Sequence, residues 1–404
     1  MKILSSISPV AVLVFLVSCS NQPTNSMFSD SLSSSNFFFS KSLLPYHAPA
    51  FDKIKDSGFK HAGEEGMKQK LSEIQQIADN PDSPTFENSM VNLGKTGQLL
   101  QRAQQVFNLL TGANTNPELQ RLKETEAPKL AANDDAIYLN SKLFKRVETL
   151  YNQRAQLKLD DEFKRLLEYY YQKFELAGAK LSDADKDELK KLNQQGASMN
   201  AQFTNRLLRA TKAGALTVSD SAELNGLPSG TKDAAAQKAN ADKLSGKWVI
   251  SLQNTTQQPD LQFLSNRAMR QKLLEASWNR AEKKVSNDTR ELIMQIAHIR
   301  AQRAQLLDFT NYAACKTQDQ MAKTPDAVNQ FLSKLVPAAK AKARMEAADI
   351  KALINKQTRE NGQRFRDMIL CRGNTEDLAT MFLDFRGHDP EIKPMLENRG
   401  LKTN

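Results

Sequence analysis

Histidine, cysteine and tryptophan are scarce in this chain, at four, three and two residues among 404. Four histidines leave little material for a metal centre, because a catalytic zinc takes three protein ligands and keeps an open position for water. His47, His61, His298 and His388 never stand four apart, and none is followed by Glu. That excludes a His-Glu-x-x-His helix, in which i and i+4 share a face and the Glu lies beside the metal-bound water. Also missing are a Gly-x-Ser-x-Gly elbow, a phosphate-cradling glycine loop and a Cys-x-x-Cys pair. Beyond the N-terminus no apolar run approaches the ~20 residues of a spanning helix. Long basic runs are lacking too: the formal charge is +10, yet Lys and Arg interleave with Asp and Glu, as in 183–191. Such interleaving reads as solvated helix surface and argues against nucleic acid as a partner.

What is present begins with a targeting pattern. Lys2 supplies a positive end, Ile3 to Val17 form a short apolar run, and Leu16-Val17-Ser18 leads into Cys19. This resembles a bacterial lipoprotein signal. Cleavage after residue 18 would free Cys19 for acylation, and chains worth ~0.8 kcal/mol per buried CH₂ would anchor it to a membrane. Ser20 and Asn21 stand where an inner-membrane retention Asp would sit, so the expected location is the outer membrane, facing the periplasm. Residues 19–45 are rich in Ser and Asn and read as a flexible tether. Within it, Phe37-Phe38-Phe39 leaves open whether these rings meet lipid or the folded body. In an oxidising compartment Cys315 and Cys371 are free to pair, but their apolar neighbours favour two buried thiols.

From Met67 onward the periodicity is helical. Leu71, Ile74 and Ile77 recur at helix spacing, as do Leu292, Ile296, Ile299 and Leu306. Ser182 with Asp185, and Thr324 before Pro325, carry helix-start chemistry, and Gly178 marks a break. Ala215 to Val218 and Lys247 to Leu252 are β-branched and alternating, with turn material at Asn225-Gly226-Leu227-Pro228. The expected fold is therefore mainly α, with a small β insertion near 215–252. Of the candidate side chains, His61 with Glu64 reads as a solvated loop pair, not a ligand set. His298 reads as a partly buried helix histidine, and Tyr169-Tyr170-Tyr171 as core and interface aromatics.

Several longer segments carry a family resemblance. Pro84-Thr85-Phe86-Glu87-Asn88, Phe174-Glu175-Leu176-Ala177-Gly178-Ala179, Leu252 to Pro259, Ser265-Asn266-Arg267 and Ala276-Ser277-Trp278 resemble the N-terminal half of peptidyl-dipeptidases (dipeptidyl carboxypeptidases) of the thimet oligopeptidase family. Ala301-Gln302-Arg303-Ala304 and Asp319-Gln320-Met321-Ala322 do the same, while Thr358 to Gly362, Phe385-Arg386-Gly387 and Arg399-Gly400-Leu401 resemble the family's extreme C-terminus. The resemblance implies two mainly helical lobes around a channel, short peptides as substrates, and zinc-dependent release of C-terminal dipeptides. It also implies a missing block between about Ile354 and Thr358 that holds the zinc and substrate residues. No catalytic or metal residue can be carried onto this chain, and no zinc is expected to bind it. The expected organisation is a signal at 1–18, a tether at 19–45, a helical N-terminal lobe at 46–354 and tail helices at 355–404. Asn374 and Asp377 are expected to cap a tail helix bearing Leu378, Met381, Phe382 and Phe385, and Gly400 to end the last one. The protein is expected to be inactive as written, or to act as a non-catalytic peptide- or partner-binding lipoprotein.

Overall fold

A computed structural model describes residues 36–356, 359–372 and 377–387. The signal at 1–18, Cys19, Asn374, His388 and Gly400 lie outside these residues. The described chain forms two units that divide between Phe309 and Thr310.

The first unit is built from helices, one of which starts on the side chain expected to start it, Ser182. In order these are α1 (Ser57–Ala78), α2 (Asn92–Lys95), α3 (Gln98–Ala113), α4 (Pro117–Tyr138), α5 (Ser141–Asn152), α6 (Asp161–Ala177) and α7 (Asp183–Ala213). Then come β1 (Leu216–Val218), α8 (Ser229–Ala241), β2 (Trp248–Ile250), α9 (Asn254–Phe263), α10 (Arg267–Trp278) and α11 (Arg290–Leu306). Ser182 Oγ accepts from the Asp185 amide at 3.2 Å, and Gly178 ends α6 at φ 95°, a conformation open to glycine. Asn116 caps α4 in the same way, accepting from the Leu119 amide at 2.9 Å ahead of Pro117 at the first helical position.

Burial follows the apolar stripes. Ile74, Ile77, Ile137, Leu143, Val147, Leu167 and Phe174 meet in one cluster, where Phe174 is fully buried against the rings of Tyr138 and Phe144. A second cluster joins Phe38, Phe59, Leu99, Phe107, Leu119 and Leu122. A third gathers Val218, Leu224, Ile250, Leu264 and Leu273 around the strands. These pair antiparallel, with Leu216 opposite Ile250 and Val218 opposite Trp248, so the small sheet stands where the β-branched residues placed it.

Two departures have physical causes. Helix α1 starts at Ser57, well before Met67, because Gly58, Gly63 and Gly66 hide it from a propensity reading. Gly66 is there for packing: a Cβ on it would stand 2.7 Å from the Leu100 amide nitrogen, so α1 and α3 meet backbone to backbone. Between the strands the turn expected at Asn225-Gly226-Leu227-Pro228 is present, and it is followed by α8, a helix that was not expected, whose Ala235 and Ala239 are buried.

The second unit holds α12 (Tyr312–Thr317), α13 (Pro325–Lys356), α14 (Arg359–Phe365) and α15 (Leu378–Arg386). Thr324 caps α13, its Oγ1 accepting from the Ala327 amide at 3.2 Å. Asp377 caps α15 through the amides of Ala379 and Thr380. The expected tail helices pack on each other: the Phe365 and Phe385 rings lie 5.3 Å apart, and Arg364 donates to the Phe385 carbonyl at 2.7 Å. Residues 331–352 of α13 are exposed throughout, although Phe331, Leu332, Leu335 and Val336 share one face.

Candidate functional site

The structure separates the candidate ligand residues. His61 lies on α1, not in a loop, and its ring stacks on Phe39 at 5.3 Å between centroids. Glu64, almost one turn later, accepts from Lys129 Nζ of α4 at 2.6 Å. That hydrogen bond holds the Glu64 carboxyl below the usual carboxylate range, so the group is committed to a lysine. His47 is exposed, with Nδ1 2.8 Å from the Ser42 carbonyl oxygen. His298 is also exposed, contrary to the expected partial burial. Helix α11 buries Leu292, Ile296 and Ile299, and a position two residues after Ile296 falls outside that stripe. Among the described residues no group of three or more His, Cys, Asp or Glu side chains could hold a metal ion. The described donor set therefore does not fit a catalytic zinc.

The other expectations divide. Tyr171 stacks on Tyr151 at 3.7 Å, and Tyr170 packs on the first core cluster, whereas Tyr169 is about half exposed. Cys371 is exposed and Cys315 half-buried, so the expected burial of both thiols is not found. Cys371 closes the short helical stretch Arg366–Leu370, all of whose residues remain partly or fully exposed.

Periodicity alone missed a polar seam where α4 meets α7 and α11. Asp135 is 7% exposed, and its Oδ1 accepts from Asn193 Nδ2 at 2.6 Å. Its Oδ2, Asn193 Oδ1 and Arg303 Nε are buried without a protein hydrogen-bond partner. On the other face of α4, Asn133 Nδ2 donates to the Met67 carbonyl of α1 at 3.2 Å, and about four turns back along α4 Asn205 Nδ2 of α7 donates to the Gln120 carbonyl at 2.7 Å. No apolar stripe announces it: Leu119, Leu122, Glu126, Asn133 and Ile137 follow one buried stripe of α4, and Asp135 is buried on the opposite face. Burial lifts the Asp135 carboxyl to about 6, against the opposing pull of Asn193 and Arg303.

Because the folded protein favours the protonated acid, the stability Asp135 contributes is present below about pH 4 and is lost as pH rises towards about 6. The Asp135→Asn variant keeps an acceptor for Asn193 and should be more stable than the parent above about pH 6, by about 1 kcal/mol after screening by nearby polar groups. Denaturant titrations at acid and neutral pH check this, and a gain that is the same at every pH would contradict it.

One open cleft of about 530 Å³ lies beside the second core cluster. Phe37, Leu43, Leu44, Phe51 and Leu109 wall it, with Lys41, Lys53 and Arg102 at its polar edge.

A sequence model of the family described as Peptidase family M3 matches residues 261–359. The dipeptidyl carboxypeptidase of Escherichia coli (strain K12) is 48% identical over 322 residues, covering 80% of this chain and 47% of that protein. Its counterpart in Salmonella typhimurium (strain LT2) is 46% identical with the same coverage. Oligopeptidase A of Haemophilus influenzae is 26% identical over 313 residues, 76% of this chain and 46% of that protein. By these matches the chain is similar to peptidase family M3. It is a homologue of the dipeptidyl carboxypeptidases, and it spans about half the length of the curated relatives it matches.

Proposed function

We propose that this chain is a peptide-handling helical lobe of dipeptidyl carboxypeptidase type that does not by itself cleave peptides. The observation that carries this reading is the histidine count and spacing: four residues, none able to pair on one helix face with an adjacent Glu. The position of Glu64, held by Lys129, supports it. Short peptides are the substrate class of this reading, and membrane attachment through Cys19, on the periplasmic side of an outer membrane, is its location.

The purified chain is expected to carry no stoichiometric zinc and to release no C-terminal dipeptide from a short peptide, while binding that peptide saturably in calorimetry. Stoichiometric zinc together with zinc-dependent dipeptide release would overturn the reading. In cells, labelled palmitate should enter the parent and not the Cys19→Ser variant. Equal labelling of both would remove the anchor from the proposal.

A second reading, a partner-binding lipoprotein, is favoured by α13, where Phe331, Leu332, Leu335 and Val336 form an exposed apolar stripe at helix spacing.

A further inference from the structure

The Phe37-Phe38-Phe39 triplet divides between two environments. Phe38 is buried against Phe59, with ring centroids 5.0 Å apart, and Arg102 Nε donates to its carbonyl at 3.0 Å. Phe39 lies on His61, and Asn36 Nδ2 donates to the Gly58 carbonyl at 2.9 Å. The chain is thus clamped to α1 and α3 as soon as it leaves residues 1–35. Phe37 faces the other way, 47% exposed.

Just beyond this clamp the protein presents a large apolar surface. Leu43 and Tyr46 are fully exposed, and Leu44, Phe51 and Leu109 are about half exposed. Phe37, Leu43, Leu44, Phe51 and Leu109 wall one cleft, so they form a single surface and not scattered residues. A contiguous patch of this kind on a soluble body marks a contact site. Positive charge predominates: Lys41 and Lys53 are exposed in its lining, Lys55 is exposed two residues further on, and Lys53 Nζ stands 5.7 Å from the Phe37 ring centroid. Asp52 is the acid among the cleft residues, and Asp56 is engaged by Asn116 Nδ2 at 2.6 Å. Apolar and aromatic tips ringed by lysines match a bilayer interface, where rings sit at headgroup level and amines meet phosphates.

The place of the patch in the chain points to the same occupant. Cys19 lies about 17 residues before the clamp, and even a fully extended segment of that length spans at most about 60 Å. A body held so close meets the bilayer at high effective concentration, so an interfacial affinity too weak to matter in solution becomes decisive.

We propose that this surface is a membrane-contact patch, in which Leu43 and Tyr46 enter the headgroup layer of an anionic bilayer while Lys41, Lys53 and Lys55 pair with lipid phosphates. The patch fixes which side of the body faces the membrane. It draws on the membrane location proposed above, but the affinity belongs to the folded surface and can be measured without acylation.

The test uses the full chain carrying Cys19→Ser, sedimented with vesicles of phosphatidylcholine alone or mixed with phosphatidylglycerol. Partitioning should favour the anionic vesicles and weaken with salt. Leu43→Ser with Tyr46→Ser should lower it about tenfold. Lys41→Glu with Lys53→Glu should lower it about tenfold on anionic vesicles and abolish the preference for them. All four positions are exposed, so circular dichroism melts of parent and variants should coincide. Equal partitioning of parent and variants would overturn the proposal and assign binding to residues 1–35. No partitioning of the parent, or equal affinity for neutral vesicles, would overturn it as well. Absence of palmitate at Cys19 in cells would remove the anchor and leave the vesicle result standing, so the two failures are told apart.

Discussion

Replacing Arg146 by alanine is expected to destabilise the first unit by about 3–5 kcal/mol, among the largest effects of any single substitution here. Arg146 sits on α5 and is 6% exposed. Its Nε donates to Ser89 Oγ at 3.2 Å, Nη1 to the carbonyls of Asn80 and Asp82 at 2.8 and 3.0 Å, and Nη2 to Asn88 Oδ1 at 2.9 Å. None of these partners is a carboxylate, so the buried charge is balanced by oriented dipoles, and removing it strands the two backbone carbonyls.

Asn88 is the hub. Its Oδ1 also accepts from the Thr85 amide at 2.8 Å, its amide donates to Thr85 Oγ1 at 3.1 Å, and its Nδ2 donates to the Ser83 carbonyl at 3.0 Å. The Pro84-Thr85-Phe86-Glu87-Asn88 segment is thus a capping box that presents one oxygen to a guanidinium from another helix. Lysine cannot reproduce the fork, so Arg146→Lys should retain most of the loss. The melting temperature of Arg146→Ala should fall by roughly 10 °C. A lysine variant within about 1 kcal/mol of the parent in denaturant titration would contradict this account.

A comparable loss, about 3–5 kcal/mol, is expected for Gly226→Ala, confined to the strands and the helices around them. Gly226 has φ 94°, and a Cβ placed on it would stand 2.1 Å from the Phe263 carbonyl oxygen and 2.8 Å from the Ser265 amide nitrogen. That amide donates to the Asn225 carbonyl at 2.7 Å, tying the turn to the end of α9 over the buried Leu224 and Leu264. Alanine must therefore adopt a disfavoured backbone and push two segments apart. Gly246 is the control: its φ is 78°, but nothing stands within 4 Å of an added Cβ, so Gly246→Ala should cost only about 1 kcal/mol. Hydrogen exchange should show faster opening over 216–278 in the first variant and little change in the second. Equal costs at the two positions would mean that the close approach contributes nothing.

Legibility in the sequence varied with the range of the interaction. Caps at Ser182, Thr324 and Asp377, the stop at Gly178 and the strands near 216 and 250 were readable, because each depends on residues a few positions apart. Residues at a longer reach were not. Gly66 looks like a helix weakener until Leu100 of α3 is placed against it. Cys371 looks buried from its apolar neighbours Ile369 and Leu370, yet it is exposed. Glu64 reads as a solvated loop carboxylate until α1 carries it beside Lys129 of α4.

By itself the sequence determined that the chain is mainly helical, where its small sheet lies, which family it resembles and that it has no His-Glu-x-x-His helix. These follow from periodicity, composition and local motif, which are properties of neighbouring residues. Only the tertiary structure decided that Arg146 binds the segment at Asn88, that Asp135 is buried beside Asn193 and Arg303, and that Phe37 turns outward while Phe38 turns in. Each of these joins groups from separate elements, and burial and pairing there are set by which helices pack together, a choice that no short stretch of residues contains.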